Sequence, residues 1–136
     1  MRPDDLQGAL ERTLAAVDAD PRSGPVLRAA GLRLRLELTD MPLVLNLATS
    51  DDPAHHLRWS FSDDVDWEPG LELSMSSETA NAYLQGRLNL PIAIARGAVG
   101  VKGGSRSALL YLPVARLLVE PFRNSVRAGF PTLALD

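Results

Sequence analysis

The chain contains no cysteine, and lysine occurs only once, at Lys102. The first absence excludes disulfide bonds, thiolate catalysis and cysteine-ligated metal sites. The second, together with dispersed arginines and a net charge of −3, argues against a nucleic-acid partner, because duplex binding requires clustered basic residues. No apolar run is long enough to span a bilayer, and the acidic N-terminal segment does not have the character of a secretory signal. We therefore expect a cytoplasmic protein without a transmembrane segment.

The remaining composition is typical of one globular domain, with 136 residues of which 46% are hydrophobic and 23% are charged. Apolar residues recur at helical spacing over residues 4–18, which predicts an amphipathic helix. A segment containing proline and glycine breaks this helix, and one further helical turn is expected at 25–30. We assign residues 1–30 to an N-terminal helix and linker within a single domain of residues 1–136.

Alternation of apolar and polar residues predicts the strands. In the clearest case, residues 32–38, leucines alternate with Arg33, Arg35 and Glu37, so one face should be buried and the charged face, shared with Arg58, should be solvated. Short polar turns between the first three strands predict an antiparallel meander. With helices before, between and after the strands, we expect an α+β fold, a five-stranded, mainly antiparallel sheet covered by helices on one face. The predicted strands are 32–38, 43–48, 57–61, 71–75 and 98–102.

The pattern changes period three times within residues 70–104. After the strand at 71–75, Ser76 and Ser77 offer hydroxyls that can cap a helix. A single apolar face predicts this helix at 77–88. A short apolar segment follows Pro91, and a last alternating stretch ends in glycines.

This order of elements resembles the sterol carrier protein type 2 lipid-binding domain over residues 31–120. In that family a helix ends in Gly-(Lys/Arg)-Leu, and the last strand has the form G-x-hydrophobic-x-hydrophobic-x-G. Gly104 departs from the family, which often has an acidic residue at this position. The matching residues are Gly86, Arg87, Leu88, Gly97, Val99, Val101, Lys102 and Gly103.

The resemblance implies a non-catalytic carrier that holds a lipid or another elongated apolar molecule in a tunnel between sheet and helices. Family members bind fatty acids, acyl-CoAs, sterols or isoprenoid intermediates and need no cofactor. By family position, the lining should come from the helix at 77–88, the segment after Pro91 and the closing helix. The expected lining residues are Tyr83, Leu84, Leu88, Ile92, Ile94, Leu109, Leu112 and Leu117.

The C-terminal stretch 105–129 is helical but contains two prolines. Pro113 can start a second helix, whereas Pro121 should kink or break one, so we expect a bend or restart at one or both. Residues 109–122 are apolar on more than one face, which exceeds what packing on the sheet requires. The surplus could face a ligand cavity, a second subunit or a membrane surface.

Two other functions remain open. The domain could be an accessory module that forms a homodimer, or docks on a lipid-pathway enzyme, through its apolar C-terminal helices. It could also be a small enzyme that uses a buried carboxylate as a base on an apolar substrate.

Three local motifs favour structural interpretations. His55 and His56 are adjacent, so on a strand they point to opposite faces and cannot both bind one metal ion. A calcium loop starting at Asp64 lacks the glycine and glutamate that such a loop requires. Lys102 is followed by glycine where a phosphate loop needs Ser or Thr. The sequence therefore predicts neither a metal site nor a nucleotide site.

Overall fold

The computed structural model describes residues 1–135, which form one five-stranded sheet and a set of helices. The prediction of an α+β fold is confirmed. Among the helices of this range, none combines the length and the apolarity needed to traverse a bilayer. The elements are α1 Pro3–Ala19, α2 Ser23–Ala30, β1 Arg33–Leu38, β2 Val44–Thr49, β3 Leu57–Ser60, β4 Leu71–Met75, α3 Ser77–Leu84, α4 Leu90–Ala95, β5 Gly100–Gly103, α5 Ser105–Gly129 and a short 3₁₀ helix at Pro131–Leu133.

The strands are ordered β3-β2-β1-β4-β5. The β3–β2, β2–β1 and β4–β5 pairs are antiparallel, while β1 and β4 run parallel. The sheet is thus mainly antiparallel, as predicted. Strands β2 and β3 lie on one side of β1, and β4 and β5 lie on the other. The chain crosses over between β3 and β4, as the parallel β1–β4 pair requires. This arrangement leaves β5 as an edge strand.

The two faces of the sheet differ in the way the alternation of β1 predicts. Its leucines are buried in the core, whereas Arg33 and Glu37 are exposed. Arg35 is an exception, since only 21% of its side chain is exposed. Its guanidinium binds both carboxylate oxygens of Asp63, at 2.8 and 3.0 Å. One arginine of the charged face is therefore an anchor for the loop after β3.

Helices α1 and α5 form the most extensive helix–helix contact within residues 1–135. Leu6, Leu10 and Leu14 of α1 are buried, and the hydroxyl oxygens of Thr13 and Ser125 lie 3.5 Å apart between the two helices. The apolar stripe of α1 therefore packs on the C-terminal helix and on the sheet, as helical spacing predicts.

Helix α5 continues through Pro113 and Pro121, so the predicted restart is wrong, while the alternative of a bend in a continuous helix stays a prediction. A proline leaves the carbonyl four residues earlier without its partner, and here those carbonyls belong to Leu109 and Leu117. Leu109 is 67% exposed, and Leu117 lines an open polar groove. Water can reach both positions, while packing of the buried stripe holds the helix together.

The predicted helix at 77–88 ends earlier, at Leu84. The Ser76 side chain caps its start by accepting a hydrogen bond from the Thr79 amide at 3.1 Å. Gly86 has a φ of +75°, a left-handed conformation that ends the helix and favours glycine. The segment after Asn89 forms the separate helix α4, because the Asn89 side chain caps the Ile92 amide at 3.0 Å.

Candidate functional site

An apolar groove of about 290 Å³ opens between α4, the β4–β5 edge of the sheet and the first turns of α5. Nine of its ten lining residues are aliphatic, and the tenth is a tyrosine. The lining contains no carboxylate, histidine or other charged side chain. The lining residues are Leu71, Leu73, Leu90, Pro91, Ile94, Val101, Ala108, Leu109, Tyr111 and Leu112.

Strand register positions the floor of this groove. Leu73 of β4 pairs with Val101 of β5, so their side chains share one face of the sheet. Leu71 lies on the same face two residues earlier and is buried. Helix α5 begins directly after β5, and Ala108 and Leu112 are four residues apart on one of its faces. Helix α4 supplies the opposite wall.

Tyr111 contributes the only polar group of the lining, and its hydroxyl is hydrogen-bonded to that of Tyr83. Both rings are buried. Burial raises the pKa of Tyr111 to about 12 although its bond to Tyr83 acts in the opposite direction. Burial also raises the pKa of Tyr83, and Tyr111 adds to this shift. Since only one hydroxyl hydrogen lies between the two oxygens, the pair has a second hydrogen to donate.

The structure brings three of the eight expected residues together in the groove, namely Ile94, Leu109 and Leu112. Tyr83 is adjacent through its hydrogen bond to Tyr111. Leu84 is 2% exposed and belongs to the core. Leu88 is half-buried against the core, and Ile92 is 49% exposed on α4. Leu117 lines a different groove.

The lining residues that the resemblance did not assign come from β4, α4, β5 and α5. Alternation places Leu71 and Leu73 on the buried face of the strand predicted at 71–75, but nothing in that pattern separates a groove floor from ordinary core. Tyr111 carries a stronger signal. A tyrosine in a helix of leucines needs a partner for its hydroxyl when buried, and this chain has only one other tyrosine.

The apolar space lies at the edge of the sheet rather than deep between sheet and helices. A void between α1 and the face of the sheet formed by β1 and β2 has a volume of only about 10 Å³. Leucines of α1, β1 and β2 fill this region. An apolar ligand would therefore enter beside α4 and not beneath α1.

A larger groove, of about 660 Å³, lies between α1, the start of α2 and α5, but its chemistry is mixed. Arg12, Arg22 and Arg116 face it together with Asp20 and Glu120. Arg22 and Asp20 are paired at 2.9 Å. These charges make the groove unsuitable for an apolar molecule, because each would lose water without gaining a partner.

The histidines and acidic loops have structural partners. The His55 Nδ1 lies 2.7 Å from the Oδ2 atom of Asp18. The Oδ1 atom of Asp18 accepts hydrogen bonds from the backbone amides of His56 and Leu57. The hydrogen bond that the protonated His55 ring donates to Asp18 raises the pKa of His55. No group of three or more His, Asp or Glu residues within residues 1–135 is arranged to hold a metal ion. The pair instead joins the end of α1 to the start of β3.

Solved structures with the same architecture decide the fold. The chain superposes on sterol carrier protein 2 from Yarrowia lipolytica, in its apo form, with a TM-score of 0.67, covering 86% of this chain and 95% of that one. Sequence identity is 12%. The chain has the sterol carrier protein 2 fold. The fold that the sequence resemblance implied is thus confirmed at an identity too low to establish shared activity.

Two further solved structures, of a ubiquinone synthesis protein and of a sulfatase, contain the same fold. A ubiquinone synthesis protein, UbiJ-SCP2, matches with a TM-score of 0.60 and 17% identity, covering 89% of this chain and 95% of that one. A double mutant of the sec-alkyl sulfatase PisA1 matches with a TM-score of 0.56 and 17% identity, covering 82% of this chain but 16% of the sulfatase. No family model and no curated protein matches the sequence.

Proposed function

We propose that this protein binds an elongated apolar molecule of the lipid class in the groove beside α4 and acts as a carrier without chemistry of its own. The observation that carries the proposal is the lining, nine aliphatic side chains and one tyrosine hydroxyl, in a fold whose named neighbours include sterol carrier proteins. A few convergent polar groups in an apolar pocket are typical of a ligand site. The lining supplies no carboxylate to act as a base, which favours a carrier over an enzyme on an apolar substrate.

The volume of the groove limits how much of an apolar chain it can bury, and therefore how tightly the chain binds. At about 290 Å³, its volume is just below the range of roughly 300–1,000 Å³ found for ligand pockets. Burying about six methylenes contributes about 5 kcal/mol, while association alone costs about 4 kcal/mol or more. A short chain would therefore bind weakly. A long chain would bind more tightly if α4 moved away from α5 and widened the groove.

A titration with a fluorescent fatty acid tests the proposal, together with native mass spectrometry of the freshly purified protein. Ala108→Phe should fill the groove from α5, where Ala108 is half-buried in the lining. Ala16→Phe is the matched control, because it places the same side chain beside the polar groove. The first variant should lose at least about tenfold in affinity, equivalent to about 1.4 kcal/mol, and the second should bind as the unmodified protein does.

Equal affinity in all three proteins would refute a ligand site in this groove. Thermal unfolding of each variant shows whether a loss of binding reflects a loss of structure. An apolar molecule that co-purifies with the unmodified protein but not with Ala108→Phe would identify the natural ligand class.

An accessory role is the second candidate function. It is favoured by the match to PisA1, in which this fold makes up 16% of a longer enzyme chain. In that role, the half-buried and exposed apolar residues of α5 would contact a partner enzyme or a second copy of the chain. Size-exclusion chromatography with light scattering, run beside the ligand titration, separates the two functions. A stable complex and no lipid affinity would favour the accessory role.

A further inference from the structure

The charges of this chain are unevenly distributed along it. Residues 79–119 contain five of the fourteen basic residues and none of the seventeen acidic residues, giving this segment a formal charge of +5 in a chain of net charge −3. The segment includes α4, β5 and the first half of α5. It therefore forms the walls of the apolar groove and the edge of the sheet beside it.

Exposed apolar side chains are concentrated in the same place. Large hydrophobic residues that are exposed within residues 1–135 are few, and Ile92, Val101 and Leu109 all lie around the groove, with exposures of 49%, 37% and 67%. Leu109 shares a helix face with Arg106, three residues earlier, and Arg96 caps the C-terminal end of α4. We call Ile92, Arg96, Val101, Arg106 and Leu109 the mouth surface.

Three acidic residues, in β4 and in the loop before it, face or bind groups on the opposite side of the sheet. Glu72 pairs in register with Lys102, and strand alternation directs both to the sheet face opposite the groove. In the loop before β4, Asp63 binds Arg35 and Asp66 binds Arg58, which are on that same opposite face. The mouth surface therefore combines exposed apolar residues with two arginines, Arg96 and Arg106, that form no ion pair within residues 1–135.

We propose that the mouth surface docks on a bilayer that contains anionic phospholipids. Arginines attract such a surface through its negative potential, and exposed aliphatic side chains enter the boundary between headgroups and acyl chains. A self-complementary dimer through this surface is disfavoured, because a two-fold axis would bring the same arginines together. Helix α1 is a poorer membrane contact, since its apolar face is buried on α5 and its first turn is acidic.

This inference goes beyond the proposed function, although the docked groove would open toward the lipid. Docking would let a lipid pass between the bilayer and the groove without crossing water. The membrane contact can be measured without any ligand, and ligand binding can be measured without any membrane. Failure of one proposal is therefore distinguishable from failure of the other.

The experiment is co-sedimentation of the purified chain with vesicles of phosphatidylcholine alone, or of phosphatidylcholine with phosphatidylglycerol, at low and high salt. We expect binding only to the vesicles with phosphatidylglycerol, and weaker binding at high salt. Arg96→Glu/Arg106→Glu should weaken it by at least about tenfold. Arg2→Glu/Arg28→Glu changes the net charge equally at exposed arginines outside the mouth surface, and should cause a much smaller loss.

A second pair of variants tests insertion. Leu109→Gln should weaken vesicle binding by roughly fivefold through loss of apolar contact. Leu135→Gln is the control, because Leu135 is exposed but lies outside the mouth surface. This variant should bind vesicles as the unmodified protein does. Because both side chains are exposed, neither change should alter the unfolding temperature appreciably.

Several results would overturn the proposal. One is an absence of binding to the anionic vesicles, and another is an equal loss in the charge-reversed and control variants. Binding to poly-L-glutamate without binding to vesicles would assign the mouth surface to an acidic protein. A dimer in solution that Leu109→Gln converts to monomer would assign it to a second copy of the chain.

Discussion

Tyr83 and Tyr111 hydrogen-bond to each other through their hydroxyl groups at the inner wall of the apolar groove. One tyrosine comes from α3 and the other from α5, so the pair fixes the closing helix against the helix that precedes the groove. The chain has no other tyrosine. Any tyrosine signal from this protein therefore reports on this pair alone.

Alkaline pH should destabilise the fold through this pair. Below about pH 10, tyrosines are protonated in both the folded and the unfolded chain. Above it the unfolded chain loses these protons, while burial holds the pKa of Tyr111 at about 12. Stability should thus fall between about pH 10 and 12, by roughly 3 kcal/mol from Tyr111. Phenolate absorbance followed beside denaturant unfolding measures this, and titration near pH 10 without unfolding would show that the pair is accessible to water.

Replacing both tyrosines by phenylalanine should reduce the free energy of unfolding by less than the sum of the two single replacements. Tyr83→Phe or Tyr111→Phe leaves one buried hydroxyl without its partner, at a cost of about 1–3 kcal/mol. The double Phe variant removes both polar groups, so its loss should be smaller than the sum of the two single losses. Urea unfolding of the four proteins gives the coupling energy. Strict additivity would mean that the two hydroxyls do not stabilise each other.

Leu84→Ala should destabilise the protein by about 2–5 kcal/mol, because the side chain is 2% exposed and lies in the core. Affinity for a fluorescent fatty acid should be unchanged, since Leu84 is not part of the groove lining. Leu112→Ala is the matched variant from the groove, and should show a smaller stability loss and a severalfold loss of affinity. The reverse pattern in the two variants would place the ligand on the face of α3.

Arg35→Gln should reduce stability by about 0.5–1 kcal/mol. Strand alternation alone predicts less than about 0.5 kcal/mol, but Arg35 binds Asp63 in a bidentate pair and Glu37 at 3.1 Å. Asp63 is 60% exposed, which keeps the effect modest. Arg33→Gln, on the same strand and exposed, is the control and should have no effect. A loss in Arg35→Gln that persists at high salt would indicate packing rather than charge.

The periodicity of the apolar residues and the helix-capping side chains predicted the helices and strands of this fold well. The alternation over residues 32–38 gave both the strand β1 and its buried face, because each residue on a half-buried strand is either in water or in the core. The location of the charged partner of Arg35 was not predictable, since Asp63 is distant in sequence and only the sheet register brings it near.

The groove was harder to predict than the sheet. Leu84, Leu112 and Leu117 all follow helical spacing, but they lie in the core, in the apolar groove and in the polar groove, respectively. Helical spacing shows that a residue faces something apolar, not whether that neighbour is packed or open. The restart predicted at the two prolines of α5 was wrong for a related reason. Local sequence specifies the lost hydrogen bonds, whereas the burial of Tyr111 and Phe122 that outweighs them is a tertiary property.

The contact between α1 and α5 has a consequence for synthesis of the chain. Thr13 and Ser125 meet across 112 positions of sequence, so α1 leaves the ribosome long before its partner helix exists. At about 5–20 residues per second, this interval is on the order of ten seconds. Throughout that time the leucine stripe of α1 lacks its native cover, and the nascent protein is exposed to aggregation until its last helix has emerged.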